Sequence, residues 1–152
     1  MQLLFEGSDE APGVKGLGFF KGQVRLLHTE LKIPHMGWNK LELRSPSPLL
    51  EGAEGEYVYF VHSFHAEPED RSIITSVCDY GMEVTASVGR GNVQAFQFHP
   101  EKSSRVGMRA DRTQRILYAV KIAHAIIYNR YFFTHIFSLM LTQNTCDAAG
   151  AL

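Results

Sequence analysis

Residues 96–103 read FQFHPEKS: an alternating apolar stretch, a histidine, a proline break and an acid. Phe96 and Phe98 flank Gln97 with the two-residue period of a half-buried strand. Such a strand delivers His99 at its end, where Pro100 removes a ladder donor and stops the pairing. Glu101 follows two positions after the histidine. A carboxylate beside an imidazole is what a general base needs, because it selects the ring tautomer and stabilises the imidazolium. A chain kinked at Pro100 lets the carboxylate reach the far ring nitrogen. A strand-end histidine beside a solvated Glu101 and Lys102 satisfies the same spacing, so both readings stand on these residues alone.

Upstream, the chain has the punctuation of an irregular α/β or α+β domain. Met1 to Phe5 reads as a short helical fragment stopping at Gly7, and a glycine-rich stretch from Gly13 to Gly18 leads into a strand through Val24, Leu26 and Leu27. PHMGWN, residues 34–39, reads as a loop, because Pro34 lacks a donor and Gly37 permits a tight turn. Ser45 to Glu56 is a polar connection. YVYFVHSF, residues 57–64, reads as one buried strand, β-branched and aromatic throughout. SIITSVC (72–78) and EVTASV (83–88) read as two more, with Tyr80-Gly81 between them. Two other features in this part are open to a bland reading: His62 and His65 as strand-end polar residues, and Trp38 as a loop tryptophan over the core.

The chain of 152 residues is 45% hydrophobic and 20% charged with a net charge of −1, the composition of one globular domain. That balance leaves no basic surplus for nucleic acid or for a polybasic membrane patch. Two cysteines, Cys78 and Cys146, build no disulfide framework or zinc spacing, and the first ten residues are not expected to act as a signal peptide. A reducing, cytoplasmic setting is expected. Character changes near residue 110: all six prolines and all but one of the thirteen glycines precede it, while the part from Asp111 onward carries +2. Ile116, Val120, Ala123 and Ile127 have helical spacing, which predicts a helix over 113–129. Lys121, His124, Asn129, Arg130 and His135 interrupt the apolar run, which argues against a membrane span.

The base lacks a visible nucleophile. Cys78 lies in an apolar strand, where a small buried hydrophobe is the expected role. Cys146 has no evident activator, and no serine sits in a Gly-x-Ser-x-Gly frame.

MQLLFEGSDE, GLGFFKGQVRLL, KIPHMGWN, YVYFVHSFHAEPED and VQAFQFHPEKSSRVGMR together resemble the class I glutamine amidotransferase subunit of imidazole glycerol phosphate synthases. The resemblance runs from Met1 to about Arg109. It implies a flavodoxin-like α/β domain of that class over 1–109, with a strand-rich C-terminal half, and an unmatched, helical, apolar tail over 110–152. It implies a glutaminase of histidine biosynthesis with a Cys-His-Glu triad, His99 as base and Glu101 as its orienter. Gln2, Ser63 and Phe64 match glutamine-binding positions. Pro34, Met36, Trp38, Asn39, Tyr59 and Lys102 match the face that docks on the cyclase partner, a (β/α)₈ barrel that takes up the ammonia. Lys102 is expected to pair with an acid of that partner and so link docking to the geometry of the base.

The family motif reads Gly-x-Cys-x-Gly-Met-Gln, and this sequence starts at its Met. The expectation is therefore a domain truncated at the N-terminus, without the nucleophilic cysteine and inactive alone, with a non-catalytic cyclase-binding fragment as the alternative. No metal or organic cofactor is expected, since such hydrolysis uses side chains and backbone donors.

Overall fold

In the computed structural model, residues 1–104 and Gly107 are described. Among the described residues, nine strands make three sheets. In the first, β1 (Gly7–Ser8), β2 (Gly22–Leu26) and β6 (Phe64–Pro68) lie in that order, with β1 parallel and β6 antiparallel to β2. The second is a two-stranded ribbon of β3 (His35–Lys40) and β5 (Tyr57–His62). The third is antiparallel, in the order β4 (Glu42–Leu43), β7 (Ile74–Asp79), β8 (Glu83–Arg90), β9 (Val93–Phe96). The described residues are rich in strands, as the sequence leads one to expect. The expected helix over 113–129 and the 110–152 tail lie outside the described residues.

Hydrophobic burial positions the sheets. Phe5, Phe20, Val24, Ala66, Ile73, Val88 and Ala95 form one buried cluster, with Met1, Leu4, Phe64 and Val93 packed against it. β7 and the middle of β8 are buried on both faces, so the hydroxyls that they carry must find partners inside. Ser87 Oγ lies 2.6 Å from both Thr75 Oγ1 and Ser76 Oγ.

Three sequence expectations need correction. Residues 34–39 are not a loop: after a cis Ile33–Pro34 bond, His35–Lys40 is a strand paired residue for residue with β5. Turn-forming residues misled here because a partner strand satisfies the backbone, and Gly37 takes φ 135° within the ladder. Nor is 57–64 one strand buried on both faces. β5 ends at His62, β6 begins at Phe64, and β5 alternates, with Val58, Phe60 and His62 inward and Tyr57 and Val61 exposed. At the start, Met1 to Phe5 is a single 3-10 turn over Gln2–Leu4.

Gly22 opens β2, opposite Pro68 of β6. It has φ 126°, and a Cβ there would collide with the Glu67 carbonyl oxygen across the ladder. Gly22→Ala is expected to destabilise the chain by about 2 kcal/mol or more, from strain and forced strand separation. A urea midpoint unchanged by that substitution would show that the approach is not tight.

Candidate active site and docking face

β9 ends at Phe96, and three further residues bring the chain to His99. Phe98 is buried against Phe60 and Phe96, which anchors the exit from the sheet. Pro100 then opens a single 3-10 turn, Pro100–Lys102, a position where its missing N–H costs nothing. That turn folds Glu101 back: its Oε1 lies 2.9 Å from His99 Nδ1. A carboxylate only accepts, so Nδ1 carries a proton and, in the neutral ring, Nε2 presents a lone pair. Partial burial pushes the Glu101 carboxyl up. The hydrogen bond from His99, the residue's own backbone N–H and the charges of His99 and Lys102 outweigh it and hold the carboxyl below its usual range.

The backbone around the pair is tied to β5. His99 N–H donates to the Tyr59 carbonyl at 2.9 Å. Ser103 is fully buried; its Oγ accepts from Tyr59 N–H at 3.0 Å and donates to the His99 carbonyl at 2.6 Å. The turn also packs closely on Gly107, where a Cβ would collide with the Pro100 carbonyl. Ser103 was not singled out in the sequence; its only signal is its place four residues after the histidine.

A second cluster adjoins the pair. Gln2 Nε2 donates to the Phe64 carbonyl at 2.8 Å and to Gln97 Oε1 at 3.2 Å. Gln97, two residues before His99, therefore links Gln2 to the segment that carries the base. Ser63 lies in the step between β5 and β6, its carbonyl accepting from Leu27 N–H at 2.9 Å.

The outer face of the β3–β5 ribbon is largely apolar, with Lys40 at its end opposite Tyr57. Met36 is 61% and Trp38 51% exposed, beside Tyr57 and Val61. Cross-strand pairing sets Met36 opposite Val61 and Trp38 opposite Tyr59. The Trp38 and Tyr59 rings meet edge to face at 5.9 Å, and Lys102 Nζ lies 5.5 Å from the Tyr59 ring centroid. One residue, Tyr59, thus touches this face with its ring and holds His99 with its carbonyl. Pro34 precedes the ribbon, half-buried. Asn39 is not brought together with Trp38: it alternates to the inner side, where Nδ2 donates to the Asp79 carbonyl at 2.7 Å.

The family model for glutamine amidotransferase class-I matches residues 1–111. The chain belongs to that family. Among curated relatives, this amidotransferase chain is 50% identical over 110 residues to the imidazole glycerol phosphate synthase subunit HisH of Bacillus cereus (strain G9842), covering 72% of the chain and 52% of the relative. The HisH of Aquifex aeolicus (strain VF5) is also 50% identical over 110 residues, 72% of this chain and 53% of that one. For the HisH of Deinococcus radiodurans the identity is 51% over 111 residues, with 71% and 52% covered. The chain spans about half the length of the curated relatives it matches.

Other candidates contribute less. Cys78 is fully buried, and burial, then the charges of Asp79 and Glu42, push its thiol up to about 12, so it is a core residue and no nucleophile. His62 and His65 fall on different strands, and His62 lies 3.0 Å from His35 across the ribbon. Among the described residues, no group of His, Cys, Asp and Glu is placed to hold a metal ion. No helix among them is long and apolar enough to cross a membrane.

Proposed function

We propose that this chain carries the base, its orienting carboxylate and the glutamine-binding residues of a glutaminase. It would serve an imidazole glycerol phosphate synthase in histidine biosynthesis and pass ammonia to a cyclase of (β/α)₈ form. The observation that carries the reading is the His99–Glu101 pair, held to β5 through Tyr59 and Ser103 and adjoined by Gln2. His99 Nε2 takes the proton from a thiol. The sulfur attacks the side-chain amide carbon of glutamine, and the imidazolium returns its proton to the leaving nitrogen as the C–N bond breaks. Ammonia leaves, and water attacks the glutamyl thioester, activated by the same imidazole. Gln2, Ser63 and Phe64 hold the glutamine. The thiol comes from outside the described residues, since Cys78 is inert. We place the domain boundary near Arg109 and align this chain with the C-terminal portion of the relatives.

A second reading is a cyclase-binding fragment without catalysis; the exposed Met36–Trp38 face favours it equally. Ammonia release separates the two. The chain is mixed with the barrel partner and a segment bearing Gly-x-Cys-x-Gly, and glutamine turnover is measured. Turnover that needs all three components supports the glutaminase. Barrel capture without turnover leaves the binding fragment, and neither result would sink both readings.

Docking itself predicts an anchor. Trp38 is the large aromatic at the centre of the ribbon face, of the residue type that dominates interface energetics. Trp38→Ala is expected to weaken barrel binding by about 2 kcal/mol or more, roughly 30-fold in Kd. Calorimetric titration showing less than a threefold change would remove this face from the interface.

A further inference from the structure

Behind the exposed ribbon face lies a line of polar groups that the catalytic pair does not use. His35 and His62 are opposite one another on β3 and β5, both buried, with His35 Nδ1 3.0 Å from His62 Nε2. His62 Nδ1 lies 2.8 Å from the Phe64 carbonyl, and Asn39 Nδ2 3.4 Å from His35 Nε2. The partners dictate every proton. A carbonyl only accepts, so His62 Nδ1 carries hydrogen and, in the neutral ring, Nε2 accepts. His35 Nδ1 is then the donor to it, which leaves His35 Nε2 to accept from Asn39. The Asn39 amide cannot be turned round: Nδ2 donates to the Asp79 carbonyl at 2.7 Å and Oδ1 accepts from Lys40 N–H at 2.8 Å. Stacking fixes the first ring, between Tyr80 at 3.9 Å and Phe60 at 4.7 Å.

The line ends on an atom with a second partner. The Phe64 carbonyl that accepts from His62 also accepts from Gln2 Nε2. We propose that Asn39, His35 and His62 are positioning residues: a one-directional hydrogen-bond chain from the docking strand that sets the Phe64 carbonyl and, through it, the Gln2 side chain. This rests on the reading of Gln2 and Phe64 as glutamine-binding residues. Asn39 follows Trp38 on β3, so a displacement of that strand by a docked partner reaches Gln2 without passing through His99. Buried chains of this kind polarise one another and tolerate no half-satisfied member.

Long-range ¹H–¹⁵N spectra of the 152-residue chain test the assignment directly. Both His35 and His62 are expected to be neutral at pH 7 with the proton on Nδ1. A proton on Nε2 of either ring overturns the chain of donors. The variant His35→Phe keeps an aromatic ring between Phe60 and Tyr80 but removes both nitrogens, and is expected to shift the side-chain amide pair of Gln2. Lys40→Ala, on the same strand but off the line, is expected to leave that pair in place. Should His35→Phe lose the dispersed amide spectrum of a folded chain, Asn39→Leu gives the same readout. A Gln2 amide unmoved in a folded variant overturns the proposal. In the three-component ammonia assay, His35→Phe is expected to raise KM for glutamine about tenfold with kcat nearly unchanged; equal losses in kcat and kcat/KM count against positioning. The spectra need no turnover. Shifts as expected with no ammonia would leave the hydrogen-bond chain standing and sink the glutaminase reading, and ammonia with the wrong tautomers would do the reverse.

Discussion

Replacing His99 with alanine is expected to lower kcat for ammonia release by about 10³–10⁴-fold in the three-component assay. The ring has its Nδ1 proton committed to Glu101 at 2.9 Å, so Nε2 is the nitrogen left to take a thiol proton and return it to the leaving amine. Without it the sulfur stays a protonated, weak nucleophile, and departing nitrogen has no acid. Glu101→Gln tests the orienter separately. An amide can present its NH₂ to Nδ1 and favour the opposite tautomer, so a loss of at least about 10² in kcat is expected with little change in KM. Ser103→Ala should act more mildly, because it frees the His99 carbonyl and Tyr59 N–H but leaves the ring and its carboxylate. Ammonia release by His99→Ala within tenfold of the unaltered chain would end the assignment of this residue as the base.

Lowering the pH from 7 to 4.5 is expected to destabilise the chain steeply, before its carboxylates matter. Burial pushes the imidazoles of His35 and His62 down to about 4, from 6.5 for a solvated ring. For His62 the charges of His35, His65 and His99 act in the same direction, against the bond to the Phe64 carbonyl. Below pH 6.5 the unfolded chain binds protons at these positions and the folded chain does not. The stability that the neutral rings contribute is therefore complete above about 6.5 and is lost as the pH falls towards 4. The loss over the pair, two rings 3.0 Å apart, is on the order of a few kcal/mol, a sizeable share of an ordinary domain's stability. Glu83 and Glu101 sit below their usual range, Glu83 because Arg44 and Arg71 hydrogen-bond to it, and add losses of the same sign only below about 4.5. Urea unfolding at pH 7, 6, 5 and 4.5 measures the effect. A midpoint flat across that range would mean that the rings are already charged or solvated in the folded chain. His35→Phe, if folded, should flatten the profile by about half.

His99 and Glu101 were legible because the chemistry is local. Two residues apart around a proline, they need only one turn of backbone to meet; spacing alone equally allowed a solvated pair, and the roles of base and orienter came from the family resemblance. The core was legible for the same reason: Val24, Val58, Phe60, Val84 and Val88 are buried as their strand patterns imply. PHMGWN was misread because its proline and glycine are turn signals in isolation. Pairing with β5 overrides them, since ladder hydrogen bonds satisfy the backbone and Gly37 needs no side chain to fill its place. Ser103 and Gln97 carry no local signal beyond their places near the histidine, as polar residues beside a motif are ordinary solvated residues until a second segment arrives.

The order of residues by itself thus pointed to the family, placed His99 and Glu101 within reach of one another, and gave the strand-rich domain and the aromatic character of the Trp38 segment, because each depends on short-range spacing or on composition. Tertiary structure alone decided which backbone holds the base, which face of the ribbon is bare, and that His35 meets His62. Those three follow from strand register. Pairing His35 with His62 turns both rings inward and Met36 and Trp38 outward together, and a slip of one residue would exchange the two faces.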